Sequence, residues 1–329
     1  MRFVPITLML VGLAAPAFAA PAAGKAPMDL KALESTIRTT WDFHNAVASE
    51  KSFQVMADTL KGDAAAALLV RTQIARAQGL QNRFDDANAT LDLVERDLTV
   101  LGAPEPATLH LRSRLLIERG RLLNSGGEPT KAKPLFEQSL ALADSAHVEG
   151  LAVDAAHMVA IAAFNDSAHA EALQWNERAL AMAESSKDPE ARRWRGSLLT
   201  NMAWSYHDMK QYEKALPLFE RAVEERKENS KPIDIREARW AVARCLRSLG
   251  RYDEALKEQL ALEAEGAKAN EPDGYVWEEL GELYYAKGQK EEAKPWFAKA
   301  YKELVSDPYI RNNEAPRLAR LKELSGTTP

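Results

Sequence analysis

The sequence predicts an all-α chain made by repeating a pair of helices. Small residues recur in two series: Ala75, Gly120, Ala160, Ala203, Ala243 and Gly281, then Ala87, Ala132, Ala172, Ala215, Ala255 and Ala293. Four residues after the second series stand Leu91, Phe136, Asn176, Phe219, Gln259 and Phe297, mostly bulky and apolar. Small side chains let two helices approach closely, and a large one fills the space between one pair and the next. No segment alternates apolar and polar residues with the period of a half-buried strand. A lone helix pair cannot bury its apolar face, so such units stack into an array in which each packs on its neighbours.

The elements follow in order. Residues 1–19 have the form of a bacterial export signal, which points to the periplasm or to secretion. Met1-Arg2 supplies a positive start, residues 6–15 a short apolar run and Ala17-Phe18-Ala19 a small-x-small cleavage pattern, with Ala20 as the first mature residue. The apolar run is well short of the ~20 residues that span a bilayer, and no later segment is long and apolar enough to cross one. Residues 20–28 form an Ala/Pro linker. Residues 29–67 predict N-terminal capping helices, with Leu30, Leu33, Ile37, Trp41 and Phe43 as apolar candidates. Six helix pairs span 68–305, starting near 68, 113, 153, 196, 236 and 274. Asp188-Pro189 and Asp307-Pro308 each set a capping carboxylate just ahead of a proline, as at a helix start. Gly250 and Gly288 mark turns inside pairs. Residues 306–329 hold a polar C-terminal capping helix, at about 314–324, and a tail.

In the last pair, Trp277-x₂-Leu280-Gly281-x₂-Tyr284 is followed by Ala293-x₃-Phe297-x₂-Ala300. This spacing resembles the signature of the tetratricopeptide repeat. The aligned residues run from Ala87 to Ala293, 206 residues over five steps, a mean period near 41. That is longer than the ~34 residues of the standard repeat. Pro134, Pro217 and Pro295 each lie two residues after an aligned Ala. Strings such as Tyr212-Glu-Lys-Ala-Leu-Pro217-Leu-Phe-Glu-Arg-Ala222 are similar to the longer repeats of kinesin light chains. The resemblance implies a right-handed α-α superhelical solenoid whose concave groove meets a ligand. Asn176 and Gln259 depart from the aromatic position, and Trp175 and Leu260, one residue away, are candidates to take it over.

With the aligned Ala numbered 20 in each repeat, a helix turning ~100° per residue gathers positions 4, 7, 8 and 11 on one face. Positions 2, 5, 9, 12 and 13 fall on the opposite face, which the resemblance assigns to the groove. That face carries Arg76, Arg114 and Arg121 in the first two repeats, then His157 and Phe164. It continues with Trp204, His207 and Asp208, with Trp240, Arg244 and Arg247, and with Tyr275, Glu278, Glu282 and Tyr285. The expected groove is basic at one end, aromatic and basic in the middle, and acidic at the other. Arg76, Arg121, His157, Trp204, His207, Trp240, Arg244 and Arg247 are the candidate partner-binding residues, since aromatics and Arg give a binding surface contact area and directed charge. The competing reading pairs Arg244 and Arg247 with Glu278 and Glu282 and uses the tryptophans as packing between helices. Some tetratricopeptide domains clamp a peptide C-terminus with Lys and Asn at positions 5 and 9. Here those positions read Thr72/Arg76, Ile117/Arg121, His157/Ile161 and Thr200/Trp204, so that clamp is absent.

Other chemistry is not encoded in recognisable form. There is no Gly-rich phosphate loop, no His-Glu-x-x-His and no Gly-x-Ser-x-Gly elbow. The net charge of −5 becomes −6 when Arg2 leaves with the signal, which gives no reason to expect nucleic-acid binding. The single Cys245 has no partner for a disulfide within the chain and reads as a buried, inert thiol. The expectation is a non-enzymatic scaffold without cofactor or metal, binding a protein or peptide in its groove. The alternative is a module for a small molecule or envelope polymer, accessory to a transporter or cell-wall enzyme.

Overall fold

The computed structural model describes residues 27–43, 45–103, 105–227 and 231–326. The expected leader and most of the linker lie outside the described residues. Among those described, every regular element is a helix. In chain order they are α1 (Leu30–Thr40), α2 (Ala46–Thr59), α3 (Ala64–Leu80), α4 (Phe84–Val100), α5 (Glu105–Ser125) and α6 (Pro129–Ser145). Then come α7 (Glu149–Asn165), α8 (His169–Ser185), the short α9 (Pro189–Arg192), α10 (Arg195–Asp208), α11 (Tyr212–Lys227) and α12 (Pro232–Ser248). The last are α13 (Tyr252–Ala269), α14 (Gly274–Ala286), α15 (Lys290–Leu304), α16 (Pro308–Asn313) and α17 (Ala315–Leu324).

The register read from the sequence reappears in the backbone. The residue at position 15 of all six repeats is left-handed: Asn82, Gly127, Ser167, Lys210, Gly250 and Gly288, with φ between 58° and 83°. It closes the first helix of the pair, and the next N–H turns back to the carbonyl five residues earlier. Arg83 to Gln78, Ala168 to Ala163, Gln211 to Tyr206, Arg251 to Leu246 and Gln289 to Tyr284 make this bond at 2.9–3.0 Å. This is a helix stop that satisfies otherwise orphaned carbonyls. The second helix then starts at position 17 in every repeat. The first helices of the first five repeats begin ahead of position 1, that of the second at Glu105 instead of residue 113, which accommodates part of the long period. Pro134, Pro217 and Pro295 each fall at the sixth residue of their helices, where the lost bond would have joined the second helical carbonyl, so the disturbance stays near the helix start.

Burial follows the same numbering. The small residues at positions 8 and 20 are buried throughout, as are Leu91, Phe136, Phe219 and Phe297 at position 24. At Gly281 a Cβ would stand 2.7 Å from the Phe297 ring, so the last repeat leaves no room for even a methyl group there. The expectation that Trp175 and Leu260 take over the broken aromatic positions is corrected. Asn176 and Gln259 themselves stay in the core, at 2% and 0% exposure, while Leu260 is exposed and Trp175 half-buried. Helix geometry explains it: moving one residue along turns the side chain ~100° away from the gap. Among the described residues, neither polar atom of the Gln259 amide has a hydrogen-bond partner.

The chain divides into two compact units, 1–127 with 141–148, and 128–140 with 149–329, so α6 contributes to both. In the first, α2 and α4 flank α3, α5 packs on α3 and α4, and α1 lies on α3. Its core gathers Leu33, Ile37, Phe53, Leu69, Leu91, Leu111 and their neighbours. Asp29, Asn45 and Asp63 cap α1, α2 and α3 through their side chains. In the second unit, α8, α11, α13 and α15 each pack on the first helix of their own pair and on the next first helix in line. Asp188 and Asp307 cap α9 and α16 as their sequence context predicts. The polar helix α17 closes the unit by packing on α15 through Leu318 and Leu321.

Candidate functional site

In the first unit the face assigned to a groove is occupied by the chain itself. Leu69, Thr72 and Ile117, at positions 2 and 5, are fully buried. Glu34 of α1 accepts hydrogen bonds from Arg114 at 2.7 and 3.2 Å and lies 2.8 Å from His110 Nε2. Burial alone would raise the Glu34 carboxyl, but Arg114 and His110 outweigh it and hold the pKa down to about 2. After α1, the Trp41 indole donates to Gln73 at 3.0 Å. Trp41 and Phe43 stack at 4.8 Å, and the Arg76 guanidinium lies over both rings. Arg121 donates to Glu118 at 2.6 Å. Of the expected basic end of the groove, Arg114 and Arg121 are therefore paired with carboxylates of the chain itself, and Arg76 lies against the Trp41 and Phe43 rings.

In the second unit the corresponding face is open. Successive first helices α10, α12 and α14 carry Trp204, Trp240 and Tyr275 side by side. Ring centroids lie 6.2 Å apart between the two tryptophans and 6.0 Å from Trp240 to Tyr275. With Arg244, Glu278 and Arg317 they line a cleft of about 460 Å³. Trp204 packs edge-on against Phe219 and His207, at 4.9 and 5.1 Å between ring centroids. The Trp240 indole N–H donates to the Tyr275 carbonyl at 3.2 Å, which fixes its plane. Arg244 stacks on Trp240 at 5.7 Å and Arg317 on Tyr275 at 4.8 Å.

The charges around the cleft form a ladder. Buried Glu279 accepts from Arg244 at 2.5 Å and from Arg247 at 2.6 and 2.9 Å. Glu278 is held by Arg317, which also reaches Glu314 at 2.7 Å, and Glu282 is held by Arg320. The arginine partners thus differ from the pairing expected of Glu278 and Glu282, and the expected acidic end is covered by α17. His207 hydrogen-bonds Ser248 at 2.9 Å. Its pKa is lowered, first by burial and then by Arg244, with Asp208 opposing. Cys245 is buried, and desolvation pushes its thiol up to about 11, which makes it a packing group.

Of the eight candidate residues, Trp204, Trp240 and Arg244 meet at the cleft, and His207 and Arg247 support it. His157 lies elsewhere, 2.5 Å from Asn201 and against Trp194. Arg76 and Arg121 belong to the filled face. The sequence reading missed Arg317 and Glu279. Treating α17 as one more first helix would have found Arg317, which follows its partner Glu278 by 39 residues. A polar residue at position 6 would have found Glu279. Gln73, Glu118, Asn201 and Glu279 all stand there, and each bonds a large groove-side residue: Trp41, Arg121, His157, and Arg244 with Arg247.

Comparison with known proteins agrees with this architecture. A tetratricopeptide-repeat family profile matches residues 151–228 and 194–259, and another matches 275–303. No curated protein matches the chain. Among solved structures, the nearly identical TPR-like repeats of a kinesin light chain assignment from Podosopora anserina are 22% identical over 62% of this chain and 98% of their own, with a TM-score of 0.50. A tetratricopeptide repeat protein from Parabacteroides merdae is 17% identical over 90% of this chain and all of its own, with a TM-score of 0.52. At such identities the likeness speaks for the fold. Residues 151–259 and 275–303 thus carry tetratricopeptide repeats, and the fold is similar to that of the kinesin light chain-like repeats.

Proposed function

We propose that this chain is an exported scaffold that holds a protein or peptide partner against the aromatic cleft of its second unit. The observation that carries the reading is the cleft itself. Trp204, Trp240 and Tyr275 leave large ring surfaces between paired arginines. Large rings and guanidiniums are the groups on which interfaces concentrate their binding energy. Supporting export are the positive start, short apolar run and Ala17-Phe18-Ala19 pattern. Replacing Trp204, Trp240 and Arg244 together by Ala should abolish capture of the envelope partner while the helical circular dichroism stays unchanged. Undiminished capture by that variant would move the partner to another face. N-terminal sequencing of the protein recovered from the periplasm should begin at Ala20; an intact Met1 in the cytoplasm would remove export from the reading.

A further inference from the structure

The first unit shows what its groove-side face accepts, because α1 occupies it. Leu30, Leu33 and Ile37 are buried along one side of α1, and Glu34 on the same side meets Arg114 and His110. These residues stand at i, i+3, i+7 and i+4, the anchor spacing by which an amphipathic helix docks in a groove. Just past the helix, the Trp41 indole donates to Gln73. The face is basic, with Arg76, Arg114 and Arg121, and its occupant answers with a carboxylate.

α1 is a weak helix held in place by that face. It has 11 residues, fewer than the roughly 12–15 at which an isolated helix is even marginal in water. Its second half, Ser35-Thr36-Ile37-Arg38-Thr39-Thr40, is rich in hydroxyl and β-branched residues that disfavour helix. The Thr39 and Thr40 hydroxyls donate back to the carbonyls of Ser35 and Thr36. Only residues 41–45 join α1 to α2, while α2 and α4 pack on α3, and α5 packs on α3 and α4, without it. Arg114 has a second carboxylate, Glu118, at 3.7 Å, so it is not left bare when Glu34 departs. We infer that α1 is an exchangeable occupant and that the first unit binds an amphipathic helix of a partner in its place. That helix carries apolar residues at the spacing of Leu30, Leu33 and Ile37 and a carboxylate at the place of Glu34. A better helix former with the same face displaces α1, because it loses less conformational entropy on docking. The aromatic cleft plays no part in this exchange.

The test is fluorescence anisotropy of a labelled, end-capped peptide of residues 28–43 titrated with the full chain. In the wild type, α1 competes in cis at an effective concentration of order mM, so the peptide should bind weakly. Leu33→Asp with Ile37→Asp in the chain should free the groove, and the same peptide should then bind at least tenfold tighter. Thr36→Ala with Thr39→Ala in the peptide, both at exposed positions, should tighten that binding several-fold. Glu34→Gln in the peptide should weaken it about a hundredfold. No binding to the freed chain with its helical circular dichroism retained would overturn the exchange, as would indifference to Glu34→Gln. Native-state hydrogen exchange on the unsubstituted chain decides the matter even if the double variant does not fold. The α1 amides should open at a lower free energy than those of α3. Opening of the two only together would make α1 a fixed part of the core and overturn the proposal. A wild-type dimer that Leu33→Asp with Ile37→Asp dissociates would assign the groove to α1 of a second copy and overturn the partner helix.

Discussion

The two units use the same helical positions in opposite ways. In the first, α1 and the residues that follow it cover this side: Glu34 satisfies Arg114 at position 2 and the neighbouring His110, Trp41 satisfies Gln73 at position 6, and Arg76 at position 9 lies over the Trp41 and Phe43 rings. In the second, the equivalent positions hold Trp204, Trp240 and Tyr275, which no helix among the described residues covers in this way, and α17 closes the far end. The difference teaches that position on a repeat does not by itself make a ligand contact. A groove-side arginine is a structural group wherever the chain supplies its carboxylate.

That contrast can be broken most forcefully at Glu34. Glu34→Gln removes the carboxylate that buried Arg114 and His110 share, leaving Arg114 the longer 3.7 Å pairing with Glu118, and should cost ~3 kcal/mol in chemical denaturation of the first unit. Acid should act in the same direction. The Glu34 carboxyl is held below its ordinary value of 4.5, at about 2, so its stabilisation is complete above the ordinary value. It fades as pH falls toward 2, and the wild type should lose this increment over that window while Glu34→Gln should not. On the side of the open cleft, Gly281→Ala drives a methyl group into the Phe297 ring and should destabilise by ~1–3 kcal/mol without touching α1. The smallest effect has the opposite sign. Gln259→Leu removes a buried amide with no partner among the described residues and should raise stability by ~1 kcal/mol, read as a higher denaturation midpoint.

The register was legible because it is local and recurrent. Small residues at positions 8 and 20 each constrain a single helix pair, and six copies reinforce one another. The turn itself was legible at Gly250 and Gly288, whereas Lys210 and Ser167 take the same left-handed conformation without being glycine and carried no such signal. The cleft was half legible: the face assignment placed Trp204, Trp240 and Arg244, but not what lies beside them. Glu34 reaches Arg114 across 80 residues of sequence, and no periodic pattern connects a capping helix to the repeat it covers. Glu279 was missed because position 6 lies at the edge of both faces. Gln259 was misread because apolar residues are expected in a core, and the neighbouring Leu260 made an exchange look easy.

The most direct measurement of the filled and open faces is hydrogen exchange at the tryptophan indoles, resolved by NMR on the mature protein. Trp41 is 6% exposed and bonded to Gln73, so its indole N–H should be strongly protected. The Trp204 indole, with no such bond, should exchange far faster and gain protection only when a partner is bound. Equal protection of Trp41 and Trp204 in the free protein would mean that both faces are already covered, and would contradict the account.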